Sequence, residues 1–246
     1  MKKSNILLLA ALAISIVIMF GGLLLLRSKV MASIEIGSGK MVEIQRTTQD
    51  WERIKVQGNI QVFFTQTEPS SLTVKADENL LEFIRTEVVN NQLIIETTRA
   101  IHSRNELQVE LHNPFLAEVE AIAGSRFTTR NPLELSTLRI IGNAGAQMSV
   151  QGFFDVLDVV QAAGARINLS GKTDQLTIRS DAGGRVDALE LEARQARVEA
   201  NAGASASVNA QLLDARAAAG GTINYVGNPV FSVNEATAGG QIRHRN

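Results

Sequence analysis

Ile122-Ala123-Gly124-Ser125 is the first of seven copies of one corner. Ala-Gly followed by a small residue returns as Asn143-Ala144-Gly145-Ala146, Ala162-Ala163-Gly164-Ala165, Asp181-Ala182-Gly183-Gly184, Asn201-Ala202-Gly203-Ala204, Ala218-Ala219-Gly220-Gly221 and Thr237-Ala238-Gly239-Gly240. The glycines stand at 124, 145, 164, 183, 203, 220 and 239, so the steps are 21, 19, 19, 20, 17 and 19. Three residues after each comes an apolar side chain: Phe127, Met148, Ile167, Val186, Ala206, Ile223 and Ile242. A period near twenty sustained to the last residues implies stacked coils, each too small to bury its own apolar side. Inside one repeat Ile167 and Leu169 alternate, Gly171 turns, and Leu176 and Ile178 alternate before the next Ala-Gly. Each coil is expected to be two or three short strands joined by glycine corners. Gly supplies positive φ there, and the Ala before it is expected to stack on the Ala of the next coil.

Upstream of the repeats the pattern is also strand. From Trp51 to Phe64, Ile54, Val56, Gly58, Ile60, Val62 and Phe64 share one face, while Arg53, Lys55, Gln57, Asn59 and Gln61 share the other. Period two with one wet face predicts a strand, and Gly58 inside it a bend. Leu72–Ala76 and Leu107–Leu111 alternate likewise, and Thr86–Val89 and Gln92–Glu96 bracket Asn90-Asn91, a pair suited to a hairpin turn. Residues 77–84 read as one helical turn capped by Asp77. Pro114 ends the last of these strands, and from there the chain is repeats. Between Ala193 and Gly221 the inward positions are mostly Ala, with Val198, Val208, Leu212 and Leu213 as exceptions. The core is expected to thin there.

Composition narrows the function classes. Of 246 residues none is Cys, which excludes disulfides, thiolate catalysis and cysteine-based zinc sites. Net charge is −1. Residues 1–29 hold four cations (Lys2, Lys3, Arg27, Lys29) and no acid, leaving 20 basic against 25 acidic side chains in the rest. An acidic body argues against nucleic acid as a partner. Ile6 to Leu26 is 21 residues, apolar except Ser15 and Gly21-Gly22. About 20 suffice to cross a bilayer, so residues 6–26 are expected to be a membrane anchor with the N-terminus cytoplasmic. A cleaved signal with Val30-Met31-Ala32 as its cleavage site is the alternative, and would make the protein secreted. Either puts residues 33–246 outside the cytoplasm, in the periplasm or at the cell surface.

With the repeats and the strand Val56-Gln57-Gly58-Asn59-Ile60-Gln61-Val62 in view, the chain resembles the bacterial family described as "putative auto-transporter adhesin, head GIN domain". The V-x-G-x-I-x-V strand, the segment Thr86–Ile95 with its Asn-Asn turn, and the Ala-Gly corners carry the likeness over residues 50–246. The resemblance implies a right-handed-type β-helix or β-solenoid in an exported or membrane-attached protein. It implies adhesion and supplies no catalytic residues. The expected organisation is an anchor or signal sequence at 1–29, a linker leading into strand at 30–50, and a head GIN-like domain at 51–246. The fold class is all-β: a single-stranded parallel β-helix (β-solenoid) with coils of ~19–20 residues, preceded by an N-terminal transmembrane helix.

Asp155 and Asp158 are the acids of most interest, because paired carboxylates on one coil face cleave glycosidic bonds in some β-helix enzymes. At offset three they point to opposite sides of a straight strand, so a polar corner is the plainer account. Arg126, Arg166 and Arg185 each follow a corner glycine by two residues. They are either a site for an anionic glycan, interrupted by Gln147, or a solvated rim. Asn143, Asp181 and Asn201 precede Ala-Gly and suit hydrogen bonds to turn backbone, with a cation site as the functional alternative. His102, His112 and His244 lack metal-ligand spacing, and no nucleophilic triad, phosphate loop or dinucleotide fingerprint is present. No catalytic, cofactor-binding or metal residue is assigned. The expected function is non-enzymatic adhesion or envelope interaction, with a glycan or envelope component as partner. A polysaccharide-processing enzyme and a self-polymerising scaffold are the alternatives, the latter opposed by the charged end Arg243-His244-Arg245.

Overall fold

The computed structural model describes residues 34–245. The expected membrane segment lies outside them, and among the described residues no helix is long and apolar enough to cross a membrane. The fold is a β-solenoid with two flat faces. The first face stacks Gln92–Thr97, Arg53–Gln57, Glu118–Ile122, the end of Leu133–Gly142, and then the second halves of the longer strands that follow. The second face stacks Leu107–His112, Ile60–Thr65, Arg126–Thr129 and then the first halves of those longer strands. All these neighbours pair in parallel register.

The corners differ from the expectation in two ways. The seven alanines themselves have φ between 46° and 55°, and the glycines after them between 73° and 79°. Each corner is therefore two consecutive left-handed residues, the backbone of a type I′ turn. At six of the seven corners the turn closes by a hydrogen bond from the residue after Gly to the carbonyl before Ala, as in Ala204 N to Asn201 O at 2.9 Å. Corners are also bonded to one another. Gly124 N donates to Ala144 O, Gly145 N to Ala163 O, and so on to Gly220 N and Ala238 O, at 3.0–3.2 Å. These alanines are exposed and do not stack in the core. The small residue after the glycine does: Ser125, Ala146, Ala165, Gly184, Ala204 and Gly221 are all buried.

The reason for smallness is steric. A Cβ on Gly221 would lie 2.1 Å from Ala200 O. At the fourth corner, Gln161 fills the place where a Gly184 Cβ would stand, 1.5 Å from its Nε2. Gln161 is buried, accepts from Ser180 Oγ at 2.5 Å and donates to Asp181 O at 3.3 Å.

The opposite corner is not a turn between short strands. Gln147–Gln161, Arg166–Ser180 and Arg185–Ala200 are continuous strands of 15, 15 and 16 residues that bend around it. The bend falls where the register skips one residue per rung: Ser136, Asp155, Asp174, Arg194 and Gln211. Just before it, Gly152 and Gly171 are register partners, and a Cβ on Gly171 would stand 1.9 Å from Gly152 O.

The parallel stack begins earlier than the repeats announce. Residues 51–65 form a complete rung, with Gly58 (φ 94°) as its corner between Arg53–Gln57 and Ile60–Thr65. That rung is sandwiched: Gln92–Thr97 and Leu107–His112 cover one side, Glu118–Ile122 and Arg126–Thr129 the other. The N-terminal end is closed by antiparallel strands. Ser71–Asp77 pairs with Leu107–His112, Met41–Arg46 with Ser71–Asp77, and Ile84–Val89 with Gln92–Thr97 through the expected turn at Asn90 (φ 50°) and Asn91 (φ 62°). Two strands thus lie within the stretch read as linker, Met41–Arg46 and Glu35–Ile36, the second paired with Ile101–His102. The Arg46 guanidinium joins the two halves of this cap, donating to Ile84 O at 2.6 Å, Leu81 O at 2.9 Å and Thr86 Oγ1 at 3.0 Å. Burial holds that guanidinium below its ordinary pKa.

The helical turn is a 3₁₀ helix, Glu78–Phe83, but Asp77 makes no side-chain cap hydrogen bond. Its carboxylate is fully buried and accepts instead from Ser103 Oγ at 2.5 Å and Asn105 Nδ2 at 3.0 Å. The core runs unbroken from Trp51 to Ile223. It is aromatic near the capped end, where Trp51, Phe64 and Phe127 form a chain of ring contacts at 6.3 and 6.1 Å. Farther on it thins as expected to Ala196, Ala200, Ala206, Ala210, Ala215 and Ala217, all buried. Leu212, expected inside, sits half-exposed just past the bend.

Candidate interaction site

The bend produces a groove of about 910 Å³ crossing five rungs from Glu134 to Gln211. Register dictates its lining. One column runs Glu134, Phe153, Lys172, Glu192, and the column of skipped residues runs Ser136, Asp155, Asp174, Arg194, Gln211. Phe153 is 48% exposed, so an aromatic face is offered to solvent between polar groups. Lys172 pairs with Glu192 at 3.0 Å and Arg194 with Asp174 at 3.3 Å. Asp155 has no cation partner among the described residues. Such a surface repeats its side chains at the strand spacing of ~4.8 Å, which suits an extended ligand lying along the axis. A second groove, of about 730 Å³, lies beside the N-terminal cap between residues 45–52 and 113–115, with Phe115 62% exposed at its lip.

Asp155 and Asp158 do not come together as a catalytic pair. Asp155 sits in the groove, whereas Asp158 lies past the bend on the flat first face, 3.7 Å from Arg139 Nε and 3.5 Å from Arg179 Nη1. There it belongs to a ladder of unlike charges: Glu118–Arg139 at 3.9 Å, Arg179–Glu199 at 4.0 Å and Arg197–Glu199 at 2.9 Å extend it. Exposed pairs of this kind contribute little singly, ~0–1 kcal/mol each. Their effect is to fix register, since like charges would meet after a one-rung slip.

The arginine column exists as expected. Arg126, Gln147, Arg166 and Arg185 are successive register partners, followed by Ser205, Thr222 and Gln241. Of the corner residues, Asn143 Oδ1 accepts from Ala144 N at 2.7 Å, the expected turn bond. His244 packs on Tyr225 at a ring separation of 5.3 Å, with Nε2 3.1 Å from Gly227 O. Among the described residues no three His, Cys, Asp or Glu side chains gather as a metal site. Sequence reasoning missed Glu134, Phe153, Lys172, Asp174 and Arg194 as one surface. The available signal was position relative to the glycines: Phe153 and Lys172 stand one residue after Gly152 and Gly171, and Asp174 three after Gly171.

Solved structures share the fold. A "putative adhesin" from Bacteroides fragilis superposes with a TM-score of 0.74 at 19% identity, covering 85% of this chain and 99% of that one. A "putative adhesin" from Parabacteroides distasonis gives 0.70 at 21% identity, covering 86% and 100%. A "putative lipid binding protein" from the same species gives 0.63 at 20% identity, covering 87% and 100%. No curated protein matches the sequence. The family model described as "putative auto-transporter adhesin, head GIN domain" matches residues 50–229, and the chain belongs to that family.

Proposed function

We propose that this chain is a non-enzymatic, extracytoplasmic interaction protein, anchored in the membrane through residues 6–26, that holds a glycan or envelope component against its solenoid. The observation that carries the reading is the groove at the bend, where five rungs align Phe153 with hydrogen-bonding side chains in two straight columns. The aromatic ring supplies apolar contact area at little conformational cost, and the flanking amides, carboxylates and cations supply polar contacts. The family's adhesin name agrees with this reading.

Two experiments test it. Protease added to spheroplasts should degrade residues 34–245 of the full-length chain; degradation only after the cytoplasmic membrane is lysed would overturn the topology. A panel of envelope glycans and lipids, presented to the full chain in nanodiscs, should yield a ligand that Phe153→Ser weakens without lowering the thermal midpoint. A ligand bound equally by Phe153→Ser would remove the groove from the reading.

A further inference from the structure

One pair of charges departs from the pattern of the rest of the solenoid. On the first face, unlike charges meet from rung to rung, as in Lys55–Glu120 at 3.2 Å, Arg139–Asp158 at 3.7 Å and Arg216–Glu235 at 4.0 Å. On the second face, beside the Ala-Gly corners, Arg166 and Arg185 are register partners on adjacent rungs and both are exposed. Arg126, two rungs above Arg166, has Glu106 at 2.9 Å. Arg166 and Arg185 have no acidic partner among the described residues. Asp187, two residues along the same strand, accepts instead from Leu189 N at 3.3 Å. Like charges directly opposite destabilise paired strands. A local rule kept along the first face, and on the second at Lys172–Glu192 (3.0 Å), but broken at Arg166–Arg185 marks a functional position.

We infer that Arg166 and Arg185 bind an acidic polysaccharide lying along the solenoid axis, its carboxylates meeting the two guanidiniums one rung apart. Rungs are ~4.8 Å apart, about the length of one sugar residue in an extended chain. The guanidinium fork takes a carboxylate through two parallel hydrogen bonds. Gln147, above Arg166 in the same column, and Ser149 and Asn168 in the next column are exposed and supply groups for sugar hydroxyls. A lipid surface fits less well. None of the exposed large hydrophobic residues lies in either column, so nothing there would enter a bilayer. The site stands apart from the groove, at the start of the same strands whose middles form the bend, and its test is independent of it.

The test uses the full-length chain in nanodiscs of zwitterionic lipid, with hexameric polygalacturonate as probe. A neutral glucan hexamer and phosphatidylglycerol vesicles are the comparison ligands. Polygalacturonate should bind the wild type, more weakly as salt rises. Arg166→Gln/Arg185→Gln should lose at least about tenfold in affinity, with a thermal midpoint unchanged or higher because the like-charge pair is gone. Arg243→Gln, a charge removed from the far end of the solenoid, should keep wild-type affinity. Four outcomes would overturn the inference: no binding by the wild type, equal affinity in the double variant, equal retention of the neutral glucan, or a preference for the anionic vesicles. A fall in the double variant's midpoint would also count against it, by making the arginines structural.

Discussion

Gly171→Ala should damage the solenoid far more than Gly203→Ala, although both glycines have positive φ. Gly203 (φ +73°) is a corner residue whose added Cβ meets nothing within 4 Å. Its substitution carries only the left-handed strain of an L-residue, ~1–2 kcal/mol. Gly171 (φ +115°) carries that strain and a collision as well: its Cβ would stand 1.9 Å from Gly152 O and 2.9 Å from Gly152 C. Those atoms are backbone in a paired strand, so relief requires prising two rungs apart at the bend. Overpacking of this kind adds ~1–3 kcal/mol. The total is ~2–5 kcal/mol for Gly171→Ala against ~1–2 kcal/mol for Gly203→Ala. For a domain of this size 1 kcal/mol moves the thermal midpoint by ~2–4 °C, so the two variants should differ by ~2–12 °C. Scanning calorimetry of both variants beside the wild type reads this directly. Equal midpoints would refute the close approach of rungs at Gly152 and Gly171.

Ala163→Asn places a residue tolerant of left-handed backbone at an exposed corner alanine (φ 46°). It should raise stability by ~0.5 kcal/mol, and a lower midpoint would contradict the type I′ assignment. Gly203→Val should lower the midpoint more than the exposed change Gln211→Ala; equal midpoints would contradict the corner there. Gln161→Ala should cost ~2–4 kcal/mol through the void and the unpaired Ser180 hydroxyl. Gly184→Ala in that background should be tolerated although it is harmful alone, giving a coupling above ~1 kcal/mol in a double-mutant cycle; additive effects would show that Gln161 does not occupy the Gly184 site. Asp77→Ala strips Ser103 and Asn105 of their acceptor and should cost ~1–3 kcal/mol. Amide exchange should then quicken first around residues 35–36 and 101–105, and a uniform change across the chain would refute that local role.

Most of the solenoid was legible because each rung writes its own tight corner into the sequence. Two left-handed residues in a row demand glycine at the second, and the turn repeats wherever the chain must cross from the first face to the second. Alternation from Ile54 to Phe64 and the Asn90-Asn91 turn were legible for the same local reason. What local pattern does not encode is non-local pairing. Nothing in the composition of residues 51–65 says that 92–112 and 118–129 will lie on either side. The bend was hidden because its residues, Ser136, Asp155, Asp174, Arg194 and Gln211, share a backbone position and no chemistry. With the bend went the groove, so Asp155 was singled out while Phe153 beside it was not. At the corners the pattern of small residues was visible but its direction was not. Ala before Gly and the small residue after it look equivalent in one dimension, yet only the second is turned inward.

The sandwiched rung at 51–65 also sets a direction on how this chain is made and how it can change over generations. As it emerges during synthesis or export, that rung has two bare edges. The later segments 92–112 and 118–129 must seal one each before the stack has a single growing end. From there every further repeat adds to a finished edge, in the order of translation. Gain or loss of a whole repeat beyond Thr129 therefore shortens or lengthens the rod by one rung and leaves the rest in register. The same change before it would strip a cover from the nucleus. Length variation is expected at the C-terminal end, and the part of the chain up to Thr129 must arrive whole.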